Sequence, residues 1–335
     1  MNSSACDHVL YVDDRGSYAT LHLTLECSRA GVATSHDVNE DHCAAALDSW
    51  LHANPKRVLL ELLVTTSRVH HGSFGPVVDV LAGHRPEIRY LGLGALTFPD
   101  FDRGSYVPED RSRDGSSWHL SVPLDRLLAA APTLDELVVQ CNDIDTAHDI
   151  LGVRPPPPFP EMTRLRRLIL RDEALNPAVV SALGASSFPQ LESLELWLGR
   201  FEYSWDGSAE DLAPLLNSPG FGKLRHLVLV SDLKDELVDV LADSALIAQL
   251  ESLGLPFGVL EASEALRLRD FWSAFSNLRR LDVTGNAITV AAARALREMA
   301  PGVVDLGDQR IRVDEESYFA PPLVGIFDAW RPVDA

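Results

Sequence analysis

Nine copies of one short hydrophobic frame run through this chain and constrain its fold more than any other feature. Leu165-x-x-Leu168-x-Leu170, Leu191-x-x-Leu194-x-Leu196 and Leu224-x-x-Leu227-x-Leu229 are the fullest copies. The frame continues as Leu250/Leu253/Leu255 and Leu278/Leu281/Val283, and upstream as Ile88/Leu91/Leu93 and Leu134/Leu137/Val139. Degenerate copies, Arg57/Leu60/Leu62 and Pro301/Val304/Leu306, open and close the series. Starts lie 23 to 33 residues apart, apart from one gap of 46. Ten residues beyond each start the chain is again apolar in seven copies of nine: Phe98, Ile144, Leu175, Phe201, Leu260, Ile288 and Ile311, with Ser67 and Lys234 as exceptions. A chain of 335 residues would ordinarily divide into about two domains. A period of this length predicts one elongated repeat array instead.

The last two apolar residues of each copy sit two apart, so they face one side of a short strand. Such a strand cannot bury that face alone; stacked in parallel on its neighbours it builds a continuous core. Helical return paths follow from local signals. Pro177 to Gly184 has proline at its start and glycine at its end, the usual asymmetry of helix termini. Asp235 to Leu241 and Thr289 to Met299 repeat apolar residues at three and four, with Thr289 placed to cap. The fold expected is α/β, a solenoid with strands on its concave face and helices on its convex face. Side chains that alternate with the buried leucines then point into the concavity: Tyr90, Glu136, Gln140, Arg167, Arg171, Glu195, Trp197, His226, Arg280 and Asp282. Trp197 is the most telling of these, because a large aromatic on an open sheet is costly unless something covers it. A partner could cover it, or the neighbouring Phe201–Trp205 segment could. Arg167, Arg171 and Glu195 are placed for a cross-strand ion-pair ladder that needs no ligand.

These repeats resemble the leucine-rich-repeat superfamily, in particular its ribonuclease-inhibitor-like subclass with helical convex segments. The resemblance implies a binding scaffold. The chain departs from the family's asparagine, eight residues beyond each start: only Asn142 and Asn286 keep it, with Asp232 as a substitute. That departure predicts an irregular solenoid. Residues 160 to 310, with Leu194-Glu-Leu-Trp-Leu-Gly199, are also similar to uncharacterised bacterial leucine-rich-repeat proteins carrying such a block, a likeness that implies no activity.

Residues 1–54 fall outside the frame and read as an N-terminal cap. His8 to Val12 and Tyr18 to Glu26 alternate around Asp13-Asp14-Arg15-Gly16, a hairpin pattern. Asp41 to His52 reads as an amphipathic helix. The solenoid spans 55–311, with insertions at 99–122 and 199–211. The second insertion mixes Tyr203 and Trp205 with acids, a composition that suits a binding hot spot as well as packing on the next repeat. Residues 312–335 form a cap or tail with Tyr318, Phe319, Ile326, Phe327 and Trp330. Pro155 to Pro158 stiffens the approach to the fourth strand.

The net charge of −20 argues against nucleic acid and anionic membranes as partners and favours a protein with a basic patch. No apolar run reaches the length of a membrane span, and the N-terminal residues lack a leader pattern, so a cytoplasmic location is expected. Cys6, Cys27, Cys43 and Cys141 form no C-x-x-C pair, and buried thiols are the expectation. Zinc on a cysteine with His8 or His42, or metal at His70-His71, lacks motif spacing. G-x-S-x-G, G-x-x-x-x-G-K-[ST] and H-E-x-x-H do not occur. No cofactor and no catalytic role are therefore expected. The reading is a non-catalytic protein-binding module, an adaptor, inhibitor or immunity-type protein, gripping its partner through the concave face and insertions. The alternatives are an enzyme or enzyme subunit with a site at the 99–122 loop, using His119 and Asp114, and a structural spacer without a dedicated site.

Overall fold

A computed structural model describes residues 6–15, 17–27, 40–66, 71–94, 119–141, 143–145, 157–172, 174–199, 207–231, 233, 235–256, 258–307 and 309. The chain opens with a hairpin of β1 (Cys6–Arg15) and β2 (Tyr18–Cys27), then α1 (Glu40–Ala53). Then come β3 (Val58–Thr66), β4 (His71–Ser73), α2 (Gly75–His84), β5 (Ile88–Gly94), β6 (His119–Pro123), α3 (Leu124–Ala130), β7 (Glu136–Gln140) and β8 (Asp143–Asp145). The second half runs β9 (Arg167–Arg171), α4 (Pro177–Ala185), β10 (Ser193–Gly199), α5 (Ala213–Leu216), β11 (His226–Ser231) and α6 (Asp235–Ala242). It closes with β12 (Ser252–Gly254), α7 (Ala262–Asp270), β13 (Arg280–Asp282), α8 (Val290–Met299) and β14 (Val304–Asp305).

Eleven strands form one sheet in the order β1-β2-β3-β5-β7-β9-β10-β11-β12-β13-β14. Only the first pair is antiparallel; from β2 onward every neighbour is parallel. A parallel step needs a crossover, and an α-helix supplies it in every connection except β7 to β9, whose described part holds none. The nine copies of the frame fall on nine consecutive strands. Register locks them: Leu91, Leu137, Leu168, Leu194, Leu227, Leu253 and Leu281 pair in sequence across the sheet. All seven are wholly buried, so each leucine packs on its equivalents in the repeats before and after.

The first copy is corrected by the structure. Leu59, not Arg57, pairs with Ile88, and Leu62 pairs with Leu91. Leu59, Leu62 and Val64 are wholly buried, whereas Leu60 is 41% exposed. The frame therefore begins as Leu59-x-x-Leu62-x-Val64, and the residue ten beyond is Val69 instead of Ser67. Two runs of three apolar residues, Val58 to Leu60 and Leu62 to Val64, made the two-residue offset invisible to pattern alone.

A second, three-stranded parallel sheet, β4-β6-β8, runs beside the first repeats. It had no counterpart in the sequence reading, because strands of three to five residues leave little periodicity. The asparagine positions are better served than the sequence implied. Asn286 is wholly buried; its Oδ1 accepts from Leu260 N–H at 3.0 Å while its Nδ2 donates to Leu255 O and Val283 O. Gln309 takes the same place one repeat later and accepts from Ile288 N–H at 3.1 Å. Asp172 accepts from Ile144 N–H at 2.6 Å and from Ala174 N–H. Ile144, Leu260 and Ile288 each lie ten residues beyond a start, so three different side chains make one inter-repeat bond. The irregularity expected from missing asparagines is to that extent compensated. Asn142 and Asp232 lie outside the described residues, as do Phe98, Phe201 and Ile311.

Candidate functional site

The alternating residues of the parallel strands form three rows across the concave face. One flanking row carries Tyr90, Glu136, Arg167, Ser193, His226, Ser252 and Arg280 in register. The middle row carries Gly92, Val138, Ile169, Glu195, Val228, Gly254 and Asp282, and the other flank carries Gly94, Gln140, Arg171, Trp197 and Val230. Burial divides them. The middle row is closed to solvent throughout, and what it leaves half-buried lies on the flanks, Trp197 included. Trp197 is thus neither bare nor wholly covered.

Polar groups on this face are bonded to one another. Arg171 and Glu195 are 3% and 4% exposed and meet at 2.7 Å through the guanidinium Nε and Glu195 Oε1. The indole Nε1–H of Trp197 donates to the same oxygen at 2.9 Å. The guanidinium also lies over the Trp197 ring, 5.1 Å from its centroid, a cation–π contact strengthened by burial. Trp197 is therefore held by both partners. Arg167 stands 3.8 Å from Glu136. Arg280 bridges Asp282 and Asp305 at 3.4 and 3.0 Å. Asp282 Oδ1 also accepts from Thr284 N–H, which is why so buried a carboxylate is tolerated. The ladder expected from sequence is present, in separate clusters of two or three.

Two titrations are shifted here. Burial, with Glu136 and Glu61 nearby, pushes the Tyr90 phenol up to about 12. Burial lowers His226 from its ordinary value, and its Nδ1 lies 2.7 Å from Ser252 Oγ. Tyr90 and His226 thus face the concavity uncharged at neutral pH. The thiols match the expectation where they are described: Cys43 and Cys141 are buried, and burial raises Cys43 to about 11 and holds Cys141 well above its ordinary value.

The structure brings together Arg171, Glu195 and Trp197, and separately Arg280 with Asp282. It does not bring Tyr90 to Trp197, which lie on different flanks. Tyr203 and Trp205 lie outside the described residues, as does Asp114 of the loop proposed for acid–base chemistry. His119 begins β6. Among the described residues one trio of histidine and acidic groups is close enough to share a metal ion, and it lies on α1 and α2. Sequence reasoning missed it. Its only linear trace is an aspartate and a histidine four apart, Asp48 and His52.

No family model matches the chain, and no curated protein does. Solved structures do. A protein from Bacteroides fragilis is 17% identical over 92% of this chain and 95% of its own, with a TM-score of 0.60. An internalin from Listeria monocytogenes is 18% identical over 78% of this chain and 71% of its own, with a TM-score of 0.35. TLR13, in a complex with ssRNA13, is 17% identical over 82% of this chain and 34% of its own, with a TM-score of 0.36. At 17% identity the likeness to the Bacteroides fragilis protein is one of fold. The repeated leucine frame and the register of its strands define an α/β leucine-rich-repeat solenoid, with parallel strands on the concave face and helices on the convex face. No helix among the described residues is long and apolar enough to cross a membrane.

Proposed function

We propose that this is a non-catalytic module that binds a partner protein through the flanking rows of its concave face and the adjoining insertions. The observation that carries this reading is the held indole of Trp197. Its ring is clamped by a buried carboxylate and a buried guanidinium, yet it keeps solvent contact. A rigid, half-exposed aromatic loses little entropy on binding and suits the centre of an interface. Glu136, Arg167, His226 and Arg280 supply a polar rim of mixed sign along the other flank. Helical return paths support the ribonuclease-inhibitor-like subclass within this reading, and an adaptor, inhibitor or immunity-type role fits it equally. The net charge of −20 supports a partner with a basic patch, drawn in by long-range attraction.

The test is affinity capture with quantitative mass spectrometry, comparing the native chain with Trp197→Ala and with the rim variant Arg167→Glu. A partner that uses this face is retained at least about tenfold less by Trp197→Ala, as for a central aromatic. If every specifically captured protein binds the native chain and both variants equally, the concave-face reading is wrong.

A further inference from the structure

We propose that Asp48, His52 and His84 form a binding site for a divalent transition-metal ion on the helical face, apart from the concave surface. Asp48 and His52 lie one turn apart on α1, and His84 is the last residue of α2. One ligand atom from each converges so that all three lie within 4.8 Å of one another. His84 Nε2 stands 2.7 Å and His52 Nδ1 3.3 Å from the same oxygen, Asp48 Oδ1. A tetrahedral zinc ion with bonds of about 2.0–2.2 Å sets its ligands roughly 3.3 Å apart. Seating it here widens the His84–Asp48 pair by roughly half an ångström and draws ligand atoms that lie up to 4.8 Å apart together by side-chain rotation.

Those backbones are fixed by the core. Leu47 and Leu51 flank Asp48 and are buried, and Leu81, one turn before His84, is wholly buried. The two imidazole rings meet edge to face, 4.6 Å between centroids. Two imidazoles and one carboxylate suit zinc and its neighbours in the first transition row; magnesium and calcium prefer oxygen throughout. His52 and Asp48 border an open cleft with Pro55, Gly83 and Asp79. Three protein ligands facing a cleft leave the fourth position to water or an exogenous donor.

Metal-stripped chain is titrated with Zn²⁺ by calorimetry and with Co²⁺ by visible absorption, beside the double variant His52→Asn/His84→Gln. The difference between the two chains isolates this site from the other histidines. The native chain takes up one more Zn²⁺ per molecule, and its Co²⁺ adduct shows visible absorption that the variant lacks. His52→Ala guards against a folding artefact, because that side chain is 70% exposed; with circular dichroism unchanged it weakens Zn²⁺ at least about tenfold. Equal stoichiometry in native and double-variant chains, or undiminished affinity in His52→Ala, would overturn the site.

Discussion

Arg171 and Glu195 show how charged residues can be buried on a sheet by bonding to their own neighbours. The carboxylate accepts from the guanidinium and the indole, and the guanidinium also stacks on that indole. Removing one charge strands the other in a site almost closed to water. Arg171→Ala is therefore expected to lower stability by about 3–5 kcal/mol, whereas Arg171→Met with Glu195→Leu recovers most of that loss. The midpoint of urea unfolding, followed by circular dichroism, checks both. A double variant no more stable than Arg171→Ala would show that the pair itself, and not the stranded charge, is what matters. The sequence placed these residues on one face and foresaw their pairing. Their burial was not legible, because it depends on what packs around them in three dimensions.

At the scale of the element, the repeats are joined by one recurrent bond made with different side chains. Asp172, Asn286 and Gln309 each reach back to a backbone N–H of the preceding repeat. Searching for asparagine at a fixed offset found Asn286 and passed over Asp172, which lies one residue earlier, and Gln309, which is one methylene longer. Asn286→Ala would leave Leu260 N–H and two carbonyls without this partner in a wholly buried site. Its cost is expected to reach about 3 kcal/mol or more, read as a lower unfolding midpoint. Helix ends were legible where caps are local: Thr289 accepts from Ala292 N–H and starts α8, and Asn176 accepts from Ala178 N–H before the proline that starts α4. Gly94 was not foreseen. Its φ of +115° and the Gln140 carbonyl 1.8 Å from where a Cβ would stand leave room for glycine alone.

Across the whole molecule, each repeat touches its neighbours and little else, so stability is passed along the array. The two ends differ. The hairpin and α1 cover the first repeat, while β14 is two half-buried residues paired, among the described residues, only with β13. Amide hydrogen exchange is therefore expected to be fastest at β14 and α8 and slowest in β7 to β11. Uniform exchange along the sheet would contradict a nearest-neighbour array. A period of leucines, legible in one dimension, determined the solenoid, its strand order and its inward and outward faces, because alternation and spacing are local properties of the chain. Tertiary structure alone decided three things: the register of the first copy, the closing of the middle row, and the meeting of His84 with Asp48 and His52, 36 and 32 residues away in sequence. Each depends on which distant segments come within van der Waals or hydrogen-bond reach, and no periodicity in the sequence records that distance.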